Sequence, residues 1–110
     1  MESGRRIVIF ITCASNEEAH KISSRLISKK LAACANIIHG INSLFRWQGK
    51  VDSAKESLLI IKSRKDKINS IIREVRSLHS YDVPEIIALP IIGGSKDYLK
   101  WLDDSITGSP

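Results

Sequence analysis

The hydrophobic positions of this chain fall into two rhythms. Residues 7–12, Ile-Val-Ile-Phe-Ile-Thr, are apolar without alternation, which predicts a strand buried on both faces. Ser15-Asn16-Glu17-Glu18 then reads as a capping box, with Ser15 as cap and Glu18 reaching back. A helix is predicted from there to about Leu31, with Ala19, Ile22, Leu26 and Ile27 on its apolar stripe and Lys21, Arg25 and Lys29 toward water. Ala35 to Trp47 reads as a long strand, broken at Gly40 by a bulge or bend. Gln48-Gly49-Lys50 is a turn, and Lys55 to Lys62 is the return strand of a hairpin.

Ser63, with Asp66 three positions on, is the expected cap of a second helix, whose apolar residues Ile68, Ile71, Ile72, Val75 and Leu78 recur at helical spacing. Pro84 opens a last strand, Glu85 to Ile92. Pro90 lacks a ladder N–H, so this strand belongs at a sheet edge or carries a bulge. Ser95 caps a short final helix with Tyr98, Leu99, Leu102 and Ile106 on one face, and Gly108-Ser109-Pro110 reads as a frayed tail.

The order β-α-β-β-α-β plus a helix is the α+β, ferredoxin-like plan. That plan makes the first and third strands central, and these are the two wholly apolar ones. The last strand is a very apolar edge, which calls for cover by the final helix or by another subunit. Phe45 and Trp47 stand near the hairpin turn opposite polar residues and need cover from outside the hairpin, most simply from a neighbouring subunit.

Composition narrows the classes. One hundred and ten residues make a single domain, with the core expected over about 7–106. Eighteen isoleucines favour a pleated sheet. No apolar run approaches the roughly 20 residues of a membrane span. Five strongly apolar residues after Arg5-Arg6 fall short of the about 7–15 of a signal peptide's core, so the chain reads as cytoplasmic with reduced thiols. The net charge of +5 invites nucleic acid, but the basic residues are scattered among acids and form no arm.

The plan itself hosts many activities. An RNA-binding version stacks bases on aromatics of its central strands, where this chain offers only Phe10. A Cys-x-x-Cys metal loop is missing, since Cys13 is followed by Ala14-Ser15-Asn16. The same loop holds no arginine and no glycine-rich phosphate cradle. Cys13 stands at a strand end before a helix, where a thiolate would be stabilised, but a free cysteine usually packs as core. Cys34 reads as core for the same reason. Among the histidines, His20 reads as solvated, His39 lies in the first hairpin strand, and His79 ends the second helix, where the macrodipole favours a cation.

Four ordered segments resemble one family. Leu31-Ala32-Ala33-Cys34-Ala35-Asn36-Ile37, Ser43-Leu44-Phe45-Arg46-Trp47-Gln48-Gly49-Lys50, His79-Ser80-Tyr81-Asp82-Val83-Pro84-Glu85 and Asp97-Tyr98-Leu99-Lys100-Trp101-Leu102 are similar to motifs of the CutA divalent-cation-tolerance proteins. The resemblance implies a cytoplasmic homotrimer of ferredoxin-like subunits, similar in shape to PII signalling trimers and linked to tolerance of copper and other divalent metals; it implies no settled reaction, and the chain is read as a non-enzymatic metal-tolerance or ligand-sensing protein. It also implies a copper site built from a strand-one cysteine and two adjacent histidines. Here those positions hold Ile11, Leu78 and His79. Only His79 can ligate, with Cys13 two residues past Ile11 on the same strand face as a substitute, so copper or another divalent cation is expected to bind weakly. The alternative is a metal-independent signalling or scaffolding trimer that holds a small anion between subunits. For either reading the expected inter-subunit cleft is lined by Trp47, Lys62, Tyr81 and Glu85, although Lys62 and Glu85 could equally form a strand-end ion pair.

Overall fold

A computed structural model describes residues 5–106. Its elements are β1 (Arg6–Cys13), α1 (Asn16–Ser28), β2 (Cys34–Trp47), β3 (Lys50–Arg64), a single 3-10 turn (Lys65–Lys67), α2 (Ile68–Leu78), β4 (Ile86–Pro90) and α3 (Lys96–Ile106). The four strands form one antiparallel sheet in the order β2-β3-β1-β4. β1 and β3, which carry the apolar runs Ile7–Ile11 and Leu58–Ile61, are central and β4 is an edge, as the pattern predicts. The expected frayed tail, Gly108–Pro110, lies outside the described residues.

Alternation along β1 sorts its side chains by face. Ile7, Ile9, Ile11 and Cys13 enter the core with Leu59 and Ile61 of β3, Ala19, Ile22 and Leu26 of α1, and Ile71 and Val75 of α2. Arg6 points to the opposite face and meets α3, where its guanidinium grips Asp103 with two bonds (Nη2–Oδ2 2.7 Å, Nε–Oδ1 3.1 Å). That grip holds the Asp103 carboxyl below its usual range. The helix pair thus covers one sheet face and α3 covers one end of the other, where Leu102 and Ile106 are buried.

The rest of that second face stays open. By register it carries Val8 and Phe10 of β1, Leu58 and Ile60 of β3, and Ile87 and Leu89 of β4. Ile87 is 51% and Leu89 45% exposed. The final helix therefore leaves the apolar edge uncovered. Pro90 ends β4 opposite Ile7, and the ladder is taken up again by the Ile91 N–H, which donates to the Arg6 carbonyl at 2.9 Å.

Three local expectations change. Ser63 caps nothing: β3 runs through it to Arg64, and its buried hydroxyl donates to the Leu31 carbonyl at 2.6 Å. Helix α2 starts at Ile68 without a side-chain cap. Helix α1 stops at Ser28, short of Leu31, because Lys30 takes φ 56°. The Leu31 N–H then reaches the Leu26 carbonyl and the Lys30 N–H the Ile27 carbonyl, which is a Schellman ending. A lysine holds a place that glycine would take at lower cost, so no glycine marks this helix end in the sequence.

Candidate functional site

Two features meet at the far end of β1. The first is a cluster buried between β1, α1 and the end of α2. One donor atom from each of Cys13, Glu18 and His79 lies within 4.8 Å of the other two. Ser15 caps α1 as expected, its Oγ accepting from the Glu18 N–H at 3.1 Å. The Glu18 side chain, however, does not complete the box. It turns to the other helix, where Oε1 accepts from the Ser80 N–H at 3.3 Å and faces His79 Nδ1 at 3.2 Å.

The His79 ring is fully buried, and its bonds fix the tautomer. Nε2–H donates to the Thr12 carbonyl at 2.7 Å, while Nδ1 accepts from the Tyr81 N–H at 3.1 Å. An imidazole N–H held by a backbone carbonyl is how metal-binding histidines are usually oriented. It leaves two lone-pair atoms, His79 Nδ1 and Glu18 Oε1, face to face beside the Cys13 thiol. Burial first, then the carboxylates of Glu18 and Glu56, push that thiol up to about 12. Cys13 is thus a protonated, inert thiol without bound metal. At the two family ligand positions without a donor, Ile11 is fully buried in the core and Leu78 is partly buried against that core.

The second feature is a cleft of about 770 Å³ under the β2–β3 hairpin, closed on its other side by the segment after α2. Its aromatics are Phe45, Trp47 and Tyr81, and its carboxylates are Asp52, Glu56, Asp82 and Glu85. A bulge aims the first two. Before it, even-numbered residues of β2 share the open face, since Ile38 pairs with Leu58; after it, Ile41 pairs with Glu56, Phe45 with Asp52 and Trp47 with Lys50. The extra residue at His39-Gly40, with Gly40 at φ 77°, therefore swaps the parity. Without it Phe45 and Trp47 would project from the opposite face. The turn at Gln48-Gly49, both at positive φ, then closes the hairpin in two residues.

Glu56 anchors the cleft wall. It is 9% exposed, and its Oε2 accepts from the Tyr81 hydroxyl at 2.7 Å. Burial and that bond raise the Tyr81 phenol to about 12. Tyr81 also stacks obliquely on His79, with ring centres 4.8 Å apart, so the two features share a wall.

Within the single chain, Trp47, Tyr81 and Glu85 line this one cleft. Lys62 of the same chain is not among its lining residues. It lies at the other end of β3, pairs in register with Cys34 and Val8, and donates to Asn36 Oδ1 and toward Cys34 Sγ. Nor does it form an ion pair with Glu85. Of the expected metal ligands, Cys13 and His79 are brought together, with Glu18 as a third. Glu18 and Glu56 escaped the sequence reading, one as a cap partner and the other as a polar hairpin position. His20 is exposed, and His39 Nδ1 lies 3.3 Å from Ser57 Oγ.

A β2-β3-β1-β4 sheet under two helices, extended by a long hairpin over a cleft of ligand size, defines a ferredoxin-like protein of the elongated-hairpin kind. The family profile described as CutA1 divalent ion tolerance protein matches residues 7–105, and the chain belongs to that family. It is 48% identical over 99 residues to the chloroplastic CutA protein of Arabidopsis thaliana, covering 90% of this chain and 54% of that one. It is 46% identical over 98 residues to the divalent-cation tolerance protein CutA of Archaeoglobus fulgidus, covering 89% and 95%. The crystal structure of CutA1 from Oryza sativa superposes with a TM-score of 0.92 at 44% identity, covering 97% of this chain and 98% of that one. The chain thus spans about half the length of the plant relative and nearly all of the archaeal one. No helix of the described residues is long and apolar enough to cross a membrane.

Proposed function

We propose that this protein serves divalent-cation tolerance as a homotrimer in the cytoplasm, by binding a metal ion rather than by catalysis. The observation that carries the metal reading is the pair of lone-pair atoms, His79 Nδ1 and Glu18 Oε1, 3.2 Å apart beside Cys13. A cation between them would remove an acceptor–acceptor contact. Thiolate, imidazole and carboxylate together suit copper or zinc. Three features weaken the affinity: the thiol must lose a proton held by burial, the Tyr81 N–H must give up Nδ1, and the family's other two ligand positions offer no donor. The ion when bound would supply charge and coordination only. The inert Cys13 thiol argues against a nucleophilic enzyme. Both cysteines are free thiols, which suits a reducing compartment. The open apolar face of Phe10, Ile60, Ile87 and Leu89 supports assembly.

Competition against a copper chelator tests the metal reading. Copper is expected to bind weakly to the intact protein, and Cys13→Ala combined with His79→Ala should abolish what binding there is. Tight binding that survives the double substitution would place the metal elsewhere.

The cleft favours a second role, as a ligand-sensing trimer. The alternative, a metal-independent signalling or scaffolding trimer with a small anion between subunits, draws on the same cleft, whose lining within one chain holds four carboxylates and no lysine or arginine.

A further inference from the structure

We infer that Tyr81 is a latch on the metal site: it occupies the lone pair of His79, and its bond to Glu56 limits how tightly Cys13, Glu18 and His79 hold an ion. This rests on reading that cluster as a metal site, and it names the residue that regulates it. Every contact involved is made within one chain.

The latch follows from one atom with two claims on it. A neutral imidazole has a single ring nitrogen that can accept. In His79 that atom is Nδ1, and the Tyr81 N–H donates to it at 3.1 Å. The other nitrogen is committed, since Nε2–H donates to the Thr12 carbonyl at 2.7 Å. Nδ1 can therefore ligate only after the Tyr81 N–H has moved off it. Tyr81 itself offers no ligand to the cluster. It is a positioning residue that acts through His79.

Tyr81 is fastened at its far end. Its hydroxyl donates to Glu56 Oε2 at 2.7 Å, and Glu56 is nearly buried on the central strand β3. Its ring also stacks on the His79 ring, with centres 4.8 Å apart. Tyr81 belongs to no helix or strand and lies in the segment between α2 and β4. The strand and the helix end are fixed by packing, so this segment is what gives way. A hydrogen bond to a carboxylate is stronger than one between neutral groups. Moving the N–H off Nδ1 strains or breaks that bond, and the cost lowers the affinity for metal. The coupling is reciprocal: ligation by Nδ1 loosens Glu56 in the cleft wall.

The test titrates cobalt(II) into the full-length protein under reducing conditions and follows the thiolate-to-cobalt charge-transfer band that Cys13 gives as a ligand. Tyr81→Phe keeps the N–H, the ring stack and every charge, and removes only the hydroxyl. It should tighten cobalt by about tenfold, the release of one hydrogen bond to a charged group. A merely structural role for Tyr81 would weaken binding instead. Cys13→Ala should abolish the band in either background. In the wild type, saturating zinc should speed hydrogen exchange at the Tyr81 amide, read by NMR, and this arm stands even if Tyr81→Phe does not fold. An affinity unchanged or lowered in Tyr81→Phe, or a Tyr81 amide slowed by zinc, overturns the inference and leaves the metal site in place. No band up to millimolar cobalt, or a band that survives Cys13→Ala, shows that the ion is not held at Cys13, and both readings fail.

Discussion

Ile87→Asp combined with Leu89→Asp is expected to convert the assembly into monomers near 12.3 kDa. Both side chains lie on the open sheet face, opposite Phe10 and Val8 across the β1–β4 ladder. They are about half exposed in the single chain. Together with Val8 and Phe10 of β1 and Leu58 and Ile60 of β3 they make a continuous apolar surface that reaches the β4 edge, a surface that soluble proteins cover. Burying two carboxylates there without partners costs several kcal/mol each, on the order of a thousandfold or more per site in association. In the monomer the same carboxylates stand in water, so the fold should survive. Light scattering checks the mass and circular dichroism the fold. A folded double variant that still weighs three subunits would show that this face is not the interface.

His79→Ala is expected to cost about 3 kcal/mol of stability in chelator-treated protein. The fully buried ring gives Nε2–H to the Thr12 carbonyl, takes the Tyr81 N–H and packs on the Tyr81 ring. Truncation leaves two buried backbone groups unpaired, at about 1–3 kcal/mol each, and opens a cavity. A loss of that size is a large share of the about 5–15 kcal/mol that holds a domain together. Because Tyr81 also holds Glu56, the cleft should loosen with it. Denaturant unfolding at fixed protomer concentration measures the effect. A midpoint unchanged within error would mean that His79 does not tie α2 to β1.

The sequence made most of this fold legible because burial wrote it plainly. Ile7 to Thr12 and Leu58 to Ile61 are apolar without alternation, and these are segments of the two central strands. Ser15 and Ser95 cap as their positions imply. Pattern failed where long-range pairing overrode local chemistry. Lys50 to Ala54 is too polar to read as strand, yet it pairs with β2 along its length. Ser63 and Asp66 look like a helix start, but pairing of Ser63 with Ile7 extends the sheet through the serine. Ser63 is fully buried.

The site was legible in part for a related reason. Trp47, Tyr81 and Glu85 stood in recognisable motifs, and Cys13 and His79 carried obvious donor atoms. Glu18 and Glu56 acquire their roles from partners far along the chain, His79 and Tyr81, and no local signal announces that. Lys62 looked suited to the rim of a cleft because its strand is apolar. Its register beside Cys34 and Asn36 carries it away from Trp47 within the subunit.

Anomalous diffraction from crystals of the protein grown with copper or zinc would locate the bound ion. One metal peak per subunit is expected, bonded to His79 Nδ1 and Glu18 with Cys13 Sγ as the third ligand, while Nε2 keeps its bond to the Thr12 carbonyl. Metal peaks confined to surface residues, with Cys13, Glu18 and His79 unchanged, would contradict it.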